Sequence, residues 1–270
     1  MIIKYKLNYT FQNPNDKDYI FKSEKHSINP SLEIVKYIIP KNNSSSTIVT
    51  KTSPSSFPIT TLGSILNQGY LGSCVSNAFA FCINTQTINH FSISRLYHYL
   101  ICRIIQNSSI DQDDGTTIRT GCQSIAKWGA VSENTNPYYI NNFSKFPSLS
   151  ILQSAKFFKK FTYTFITQDL TSLKMCIYTY KVPIIFGIMI YSSFYNTGSN
   201  GIVPTPNITK DTLEGGHCMN IIGYDDVKKW FICVNSWGKS FGNNGKCYIS
   251  YSYILNSDLA GDFCFTKFIY

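Results

Sequence analysis

The sequence predicts an α+β fold of two lobes, a helical half followed by a sheet half. Two observations carry the prediction. Apolar residues recur at helical spacing in several stretches between residues 74 and 128, and from about residue 160 the texture changes to short runs of Tyr, Phe, Ile and Val broken by Gly, Asn and Pro. A chain of 270 residues with 43% hydrophobic side chains can bury a sizeable core as one large domain or two small lobes.

Residues 1–58 read as an N-terminal arm and linker. Alternating Ile3, Tyr5 and Leu7, and the run Tyr19–Ile20–Phe21, suit strands or an arm added to the main body. Residues 41–58 are polar, rich in Ser and Thr and bounded by prolines, a linker composition. The main domain is expected over 59–270, with a mainly helical lobe to about 155 and a mainly β lobe after it. Val75, Ala78, Phe79 and Cys82 share one helical face, with Ser73 available as a cap, so Cys74 falls in the first turn of a helix. Further helices are expected over about 93–106 and 117–128, the latter stopped by Gly129. The run Val182–Tyr191 is far shorter than the roughly 20 residues that span a bilayer and contains Pro183 and Gly187, so it reads as a buried strand.

Composition narrows the function classes. The net charge is +9, but only Arg95, Arg103 and Arg119 supply guanidinium forks and the lysines are scattered apart from the pairs 159–160 and 228–229, which argues against nucleic acid as a partner. No stretch suits membrane insertion, and the first residues lack the pattern of a secretory signal. Nine cysteines without a Cys-x-x-Cys motif resemble neither a zinc site nor a dense disulfide framework, and no cofactor or metal is implied. A reducing, intracellular setting is the expectation, with one or two disulfides compatible.

The chemistry-bearing residues fall in three blocks. In Asn67–Cys74 a Gly-punctuated turn delivers Cys74 to a helix N-terminus, where unpaired N–H groups and the helix dipole favour a thiolate. Such a thiolate needs an imidazole. Of the four histidines, His26 lies in the arm and His90 and His98 lie in or near helices, whereas His217 follows Gly215–Gly216 and opens an apolar strand. Asn235 ends the next strand, where it can orient the ring, and Trp237 follows on the same face to shield that contact.

Gln68-Gly69-x-x-Gly72-Ser73-Cys74, Gly216-His217 and Asn235-Ser236-Trp237-Gly238 resemble, in order and spacing, the signature blocks of the papain family of cysteine peptidases. Asp114-Gly115-Thr116 and the stretch from Gly129 to Tyr138 extend the likeness to about residues 59–255. The resemblance implies a two-lobe fold with a helical left lobe, a β-barrel-like right lobe and the active site in the cleft between them. It implies Cys74 as nucleophile, His217 as its base and imidazolium partner, and Asn235 as the group that fixes the ring. Gln68 with the Cys74 N–H forms the oxyanion hole, and Gly115, Thr116, Gly216 and Trp237 bind a peptide or protein substrate. A proteinaceous inhibitor also fits such a cleft.

Val75 stands where the family commonly has Trp, and Leu71 where most members have a disulfide-forming Cys. Together with the missing signal these departures resemble the cathepsin-B-like proteins of large DNA viruses, and packaging in a virion fits that setting. The paired histidines of the cathepsin B occluding loop are absent. Two other readings stay open: another Cys-His-Asn acyl-transfer enzyme such as an amidase or transglutaminase, and a catalytically silent structural or binding module. Residues 1–58 lack the heptad-like helix of the usual inhibitory pro-region and are expected to pack on the lobes or cover the cleft.

Overall fold

A computed structural model describes residues 5–12, 20–21, 23–29, 32–39, 47–156 and 160–269, and for the strands between 20 and 52 it describes the backbone alone. Strands β1 (Ile20–Phe21), β2 (Ser23–Asn29), β3 (Leu32–Ile39), β4 (Thr47–Thr52) and β5 (Ser56–Pro58) come first. Helices α1 (Cys74–Gln86), α2 (Arg95–Ile105), α3 (Ile118–Trp128) and α4 (Leu149–Gln153) follow. The second half contains β6 (Lys160–Ile166), α5 (Leu170–Tyr180), β7 (Ile184–Tyr191), β8 (Leu213–Asp225), β9 (Trp230–Val234), β10 (Lys246–Ser250), α6 (Tyr251–Ile254) and β11 (Ala260–Ile269).

The helical half and sheet half appear as expected. The principal sheet runs β1-β6-β11-β7-β8-β9-β10, with β5 added to one end of β8, and is open rather than closed into a barrel. Its pairings are antiparallel except β1 with β6. A separate antiparallel sheet joins β2, β3 and β4. The segment expected as a linker therefore contributes β4 and β5, while residues 41–46 lie outside the described residues, as does Ile3 of the alternating arm pattern. Strand pairing gives its Ser/Thr-rich backbone partners that composition does not reveal. Helix α5 interrupts the half read as strands; Asp169 caps it by accepting from the Ser172 N–H at 2.8 Å.

Helix α1 is the central packing element. Every residue from Cys74 to Thr85 is buried, as in a helix surrounded by other elements. Val75, Ala78, Phe79 and Cys82 join Ile185 of β7, Cys218 of β8 and Cys264 of β11 in one apolar cluster. A larger cluster between the sheet and α5 contains Ile184, Phe186, Ile188, Ile221 and Phe231. Helix α3 stops at Gly129, whose φ of 69° releases the chain from helical geometry. All nine cysteines are buried and free. No helix among the described residues is long and apolar enough to cross a membrane.

The three arginines are committed internally. Arg95 Nη2 meets Glu133 Oε1 at 2.7 Å, and Arg119 Nε donates to Gln12 Oε1 at 3.0 Å. Arg103 donates to the carbonyls of Ile110, Gln112 and Phe143, pinning the loop that follows α2.

His98 is a satisfied core residue: Nδ1 lies 2.8 Å from Ser76 Oγ and Nε2 lies 3.1 Å from the Gly121 carbonyl. Burial lowers its pKa from 6.5 to about 4. The folded ring stays neutral where the unfolded chain already binds a proton, so its stability contribution is complete above pH 6.5 and is lost as pH falls toward 4. The loss reaches up to about 3 kcal/mol. Urea midpoints at pH 7 and pH 5 are expected to differ less in His98→Gln than in the native chain; an equal drop in both would remove His98 as the source.

Candidate active site

The turn before α1 is built to deliver Cys74. Asn67 Oδ1 accepts the Gly69 N–H at 2.9 Å, and Gly69 takes a φ of 60°, so the chain reverses tightly. Cys74 is the first helical residue and is fully buried. Backbone N–H groups of Cys218, Val75 and Cys74 itself lie near its sulfur and favour the thiolate. The expected Ser73 side-chain cap does not form. Its hydroxyl instead shares a 2.5 Å hydrogen bond with Tyr138 and accepts from Asn77 Nδ2 at 3.0 Å, so it joins the turn to the next layer.

His217 lies within β8, which begins earlier, at Leu213, and it pairs with Ile188 of β7. Its Nε2 donates to Asn235 Oδ1 at 2.8 Å, because an amide oxygen only accepts. In the neutral ring this leaves Nδ1 as the basic nitrogen; it is buried and has no hydrogen-bond partner among the described residues. The next residue, Cys218, supplies the N–H that reaches the Cys74 sulfur, which sets β8 directly beside the thiol. Trp237 packs on the imidazole with ring centroids 5.1 Å apart, the shielding position expected for it.

Gln68 is fixed from both ends of its amide. Its Oε1 accepts from Ser236 Oγ at 2.7 Å, and its Nε2 donates to the Leu71 carbonyl at 3.1 Å and the Lys6 carbonyl at 3.3 Å. Backbone bonding continues the tie, Gln68 N–H to the Ser236 carbonyl at 2.8 Å. Ser236 therefore sets which face of the amide presents its N–H groups, a role hidden in the sequence because the partners are 168 positions apart.

Residues 5–12 of the arm lie along this site. Tyr5 stacks on Trp237 with centroids 4.6 Å apart and donates its hydroxyl to the Trp237 carbonyl at 2.9 Å. Asn8 bridges to Gly216 in parallel sense, and the Tyr9 N–H donates to the Gly216 carbonyl at 2.9 Å. A Cβ at Gly115 would stand 1.9 Å from the Asn8 carbonyl oxygen, and one at Gly216 would stand 1.9 Å from that of Tyr9. Only glycine admits an extended backbone so close. The Tyr9 ring lies over Gly187, where a Cβ would come within 2.1 Å, and its hydroxyl donates to Asp262.

Gly115, Gly216 and Trp237, expected to face substrate, are thus brought together around one extended segment. Thr116 keeps its side chain away from it, donating to Gln106 Oε1 at 2.5 Å. Tyr5 was expected only as part of the alternating arm pattern, and Lys6, Tyr9, Asp113 and Asp262 were not singled out from sequence. Arm residues carry no motif, and their partners lie more than 60 positions away.

Burial controls the charge state. It raises the Cys74 thiol to about 12 against the lowering N–H bonds, and it lowers His217 to about 4 against the raising bond from Asn235. Beneath the arm, burial therefore disfavours charge on both groups.

Residues 54–261 match the sequence model of the papain family cysteine proteases. An uncharacterized peptidase C1-like protein of Acanthamoeba polyphaga mimivirus is 34% identical over 213 residues, covering 73% of this chain and 68% of the viral protein. A cathepsin B-like cysteine proteinase of Caenorhabditis elegans is 37% identical over 82 residues, 29% of this chain and 20% of that protein. Among solved structures, xylellain, a cysteine protease from Xylella fastidiosa, superposes with a TM-score of 0.78 at 27% identity across 100% of both chains. The Carica candamarcensis protease CMS1MS2 in complex with E-64 superposes at 0.60 and 17% identity over 80% of this chain and 100% of its own, which shows the fold. With its family signature spanning most of the chain and a full-length structural likeness, this protein belongs to the papain family of cysteine peptidases.

Proposed function

We propose that the chain is an endopeptidase that hydrolyses peptide bonds through Cys74, His217, Asn235 and Gln68, with the N-terminal arm as a gate. The observation that carries this reading is the orientation of His217: Asn235 holds Nε2 at 2.8 Å and leaves Nδ1 as the base on the strand whose next N–H reaches the nucleophile. His217 Nδ1 takes the thiol proton as sulfur attacks the scissile carbonyl, then delivers it to the leaving amine. The resulting thioester is hydrolysed by water, with the same nitrogen as base.

The oxyanion that forms on attack needs preorganised donors. Gln68 Nε2 has one hydrogen committed to Leu71, and the other points to the Lys6 carbonyl at 3.3 Å, longer than the roughly 2.7–3.1 Å of an oxyanion contact. In this reading Lys6 occupies the position a substrate carbonyl takes once the arm leaves. The intact donor set favours an active peptidase over a silent module, and the blocks around Gln68 and Asn235 favour hydrolysis over crosslinking.

A peptidyl epoxide is expected to label the native chain on Cys74 and to leave Cys74→Ala unlabelled; label persisting in the variant would move reactivity elsewhere and sink the assignment. Tyr9→Ala in the full chain is expected to speed labelling at least tenfold by releasing the arm, and equal rates would count against gating. With the arm released, peptide turnover is expected to follow a bell-shaped pH profile reporting the Cys74–His217 pair. A rate that only rises with pH would exclude the pair mechanism. Ser236→Ala is expected to lower kcat about tenfold by freeing the Gln68 amide, with little change in KM.

A further inference from the structure

We propose that Asp113 is a positioning residue whose carboxylate clasps the nucleophile turn to the substrate-binding segment and is shared with the arm. The proposal rests on the assignment of Cys74 as nucleophile. Both carboxylate oxygens meet the Gly72 N–H, two residues before Cys74, at 3.1 and 3.0 Å. Oδ1 also accepts from Tyr99 at 2.5 Å, and the same Tyr99 oxygen accepts the Gly115 N–H at 3.0 Å. One carboxylate therefore links the turn that carries sulfur to the glycine that faces the bound segment.

The turn is held from its other side by Gln68 Nε2 on the Leu71 carbonyl, so oxyanion donor, nucleophile and Gly115 form one hydrogen-bonded frame. Gly72 has no room to shift: a Cβ there would stand 2.9 Å from Asp113 Oδ1 and 3.0 Å from Asn8 Nδ2. No disulfide involves this turn, and a charge-assisted bond is the strong noncovalent substitute for one. Arg103 fixes the clasp from behind through the carbonyls of Ile110 and Gln112, immediately before Asp113. Lys6 Nζ reaches Asp113 Oδ2 at 3.0 Å and its carbonyl at 2.8 Å, and Asn8 Nδ2 donates to the same carbonyl. The arm thus docks on the group that orders the catalytic turn, with Asp113 only 12% exposed.

The test separates clasp from arm in the full chain. Lys6→Met is expected to raise turnover of a fluorogenic peptide several-fold while amide exchange at Gly72 stays as in the native chain. Adding Asp113→Ala is expected to speed exchange at Gly72 and Gly115 at least tenfold and lower kcat about tenfold relative to Lys6→Met. Alkylation of Cys74 by iodoacetamide, which needs no oriented cleft, should hold its rate or rise. Asp113→Asn, which keeps an acceptor, should recover part of the lost kcat. Unchanged exchange and kcat, or kcat falling in step with alkylation and melting temperature, would overturn the proposal. If Asp113→Ala fails to fold, Tyr99→Phe breaks only the relay to Gly115 and should raise KM with kcat retained; an unaltered KM would overturn the clasp. Exchange that responds to Asp113→Ala in a chain without turnover would sustain the clasp and fail the peptidase reading.

Discussion

The docking of α1 on the sheet governs the rest of the molecule. With every residue from Cys74 to Thr85 buried, the helix cannot rotate or slide without opening voids in a close-packed interior. Its N-terminus is thereby held against β8, so that the Cys218 N–H meets the Cys74 sulfur and His217 lies on the neighbouring backbone position. Strand pairing does the remaining alignment: β7 flanks His217, and β9 ends just before Asn235, which lies within hydrogen-bond reach of the ring. The geometry of the candidate site here is a by-product of core packing.

That packing sets an electrostatic tension. The same burial that orders the thiol and the imidazole opposes charge on either, and the arm deepens it by closing the site with Tyr5, Lys6, Asn8 and Tyr9. An exposed site would let water and the helix dipole support the charged pair. In the proposed gating, covering the cleft withholds both access and ionisation. The contacts holding the arm are of several kinds: an aromatic stack on Trp237, an ion pair at Asp113 and backbone bonds to Gly216. The apolar clusters of the lobes, by contrast, are drawn mainly from residues beyond 58.

Particular residues show how much could be read from the chain. Cys74 at a helix start, α2, α3 with its Gly129 stop, and the buried strand β7 follow from local periodicity and turn chemistry, which act over a few residues. Helix α5 was missed because its aromatic and β-branched content imitates a strand, and a single capping Asp169 outweighs that only once tertiary packing is present. The polar segment at 41–58 misled for the opposite reason: β4 and β5 are held by backbone pairing with partner strands, which composition does not reveal.

The sequence by itself determined the family and the candidate residues for its chemistry, since a Gly-punctuated turn before Cys74, a Gly-Gly-His and an Asn-Ser-Trp-Gly block at fixed separations are local patterns. Tertiary structure alone decided how they are oriented and covered. Ser236 aligns Gln68 from 168 positions away, Asp113 ties Gly72 to Gly115, and an arm without any motif settles on glycines that leave space for its backbone. Such contacts are set by close packing and complementary hydrogen bonding between distant segments, and neither leaves a periodic trace in a single chain.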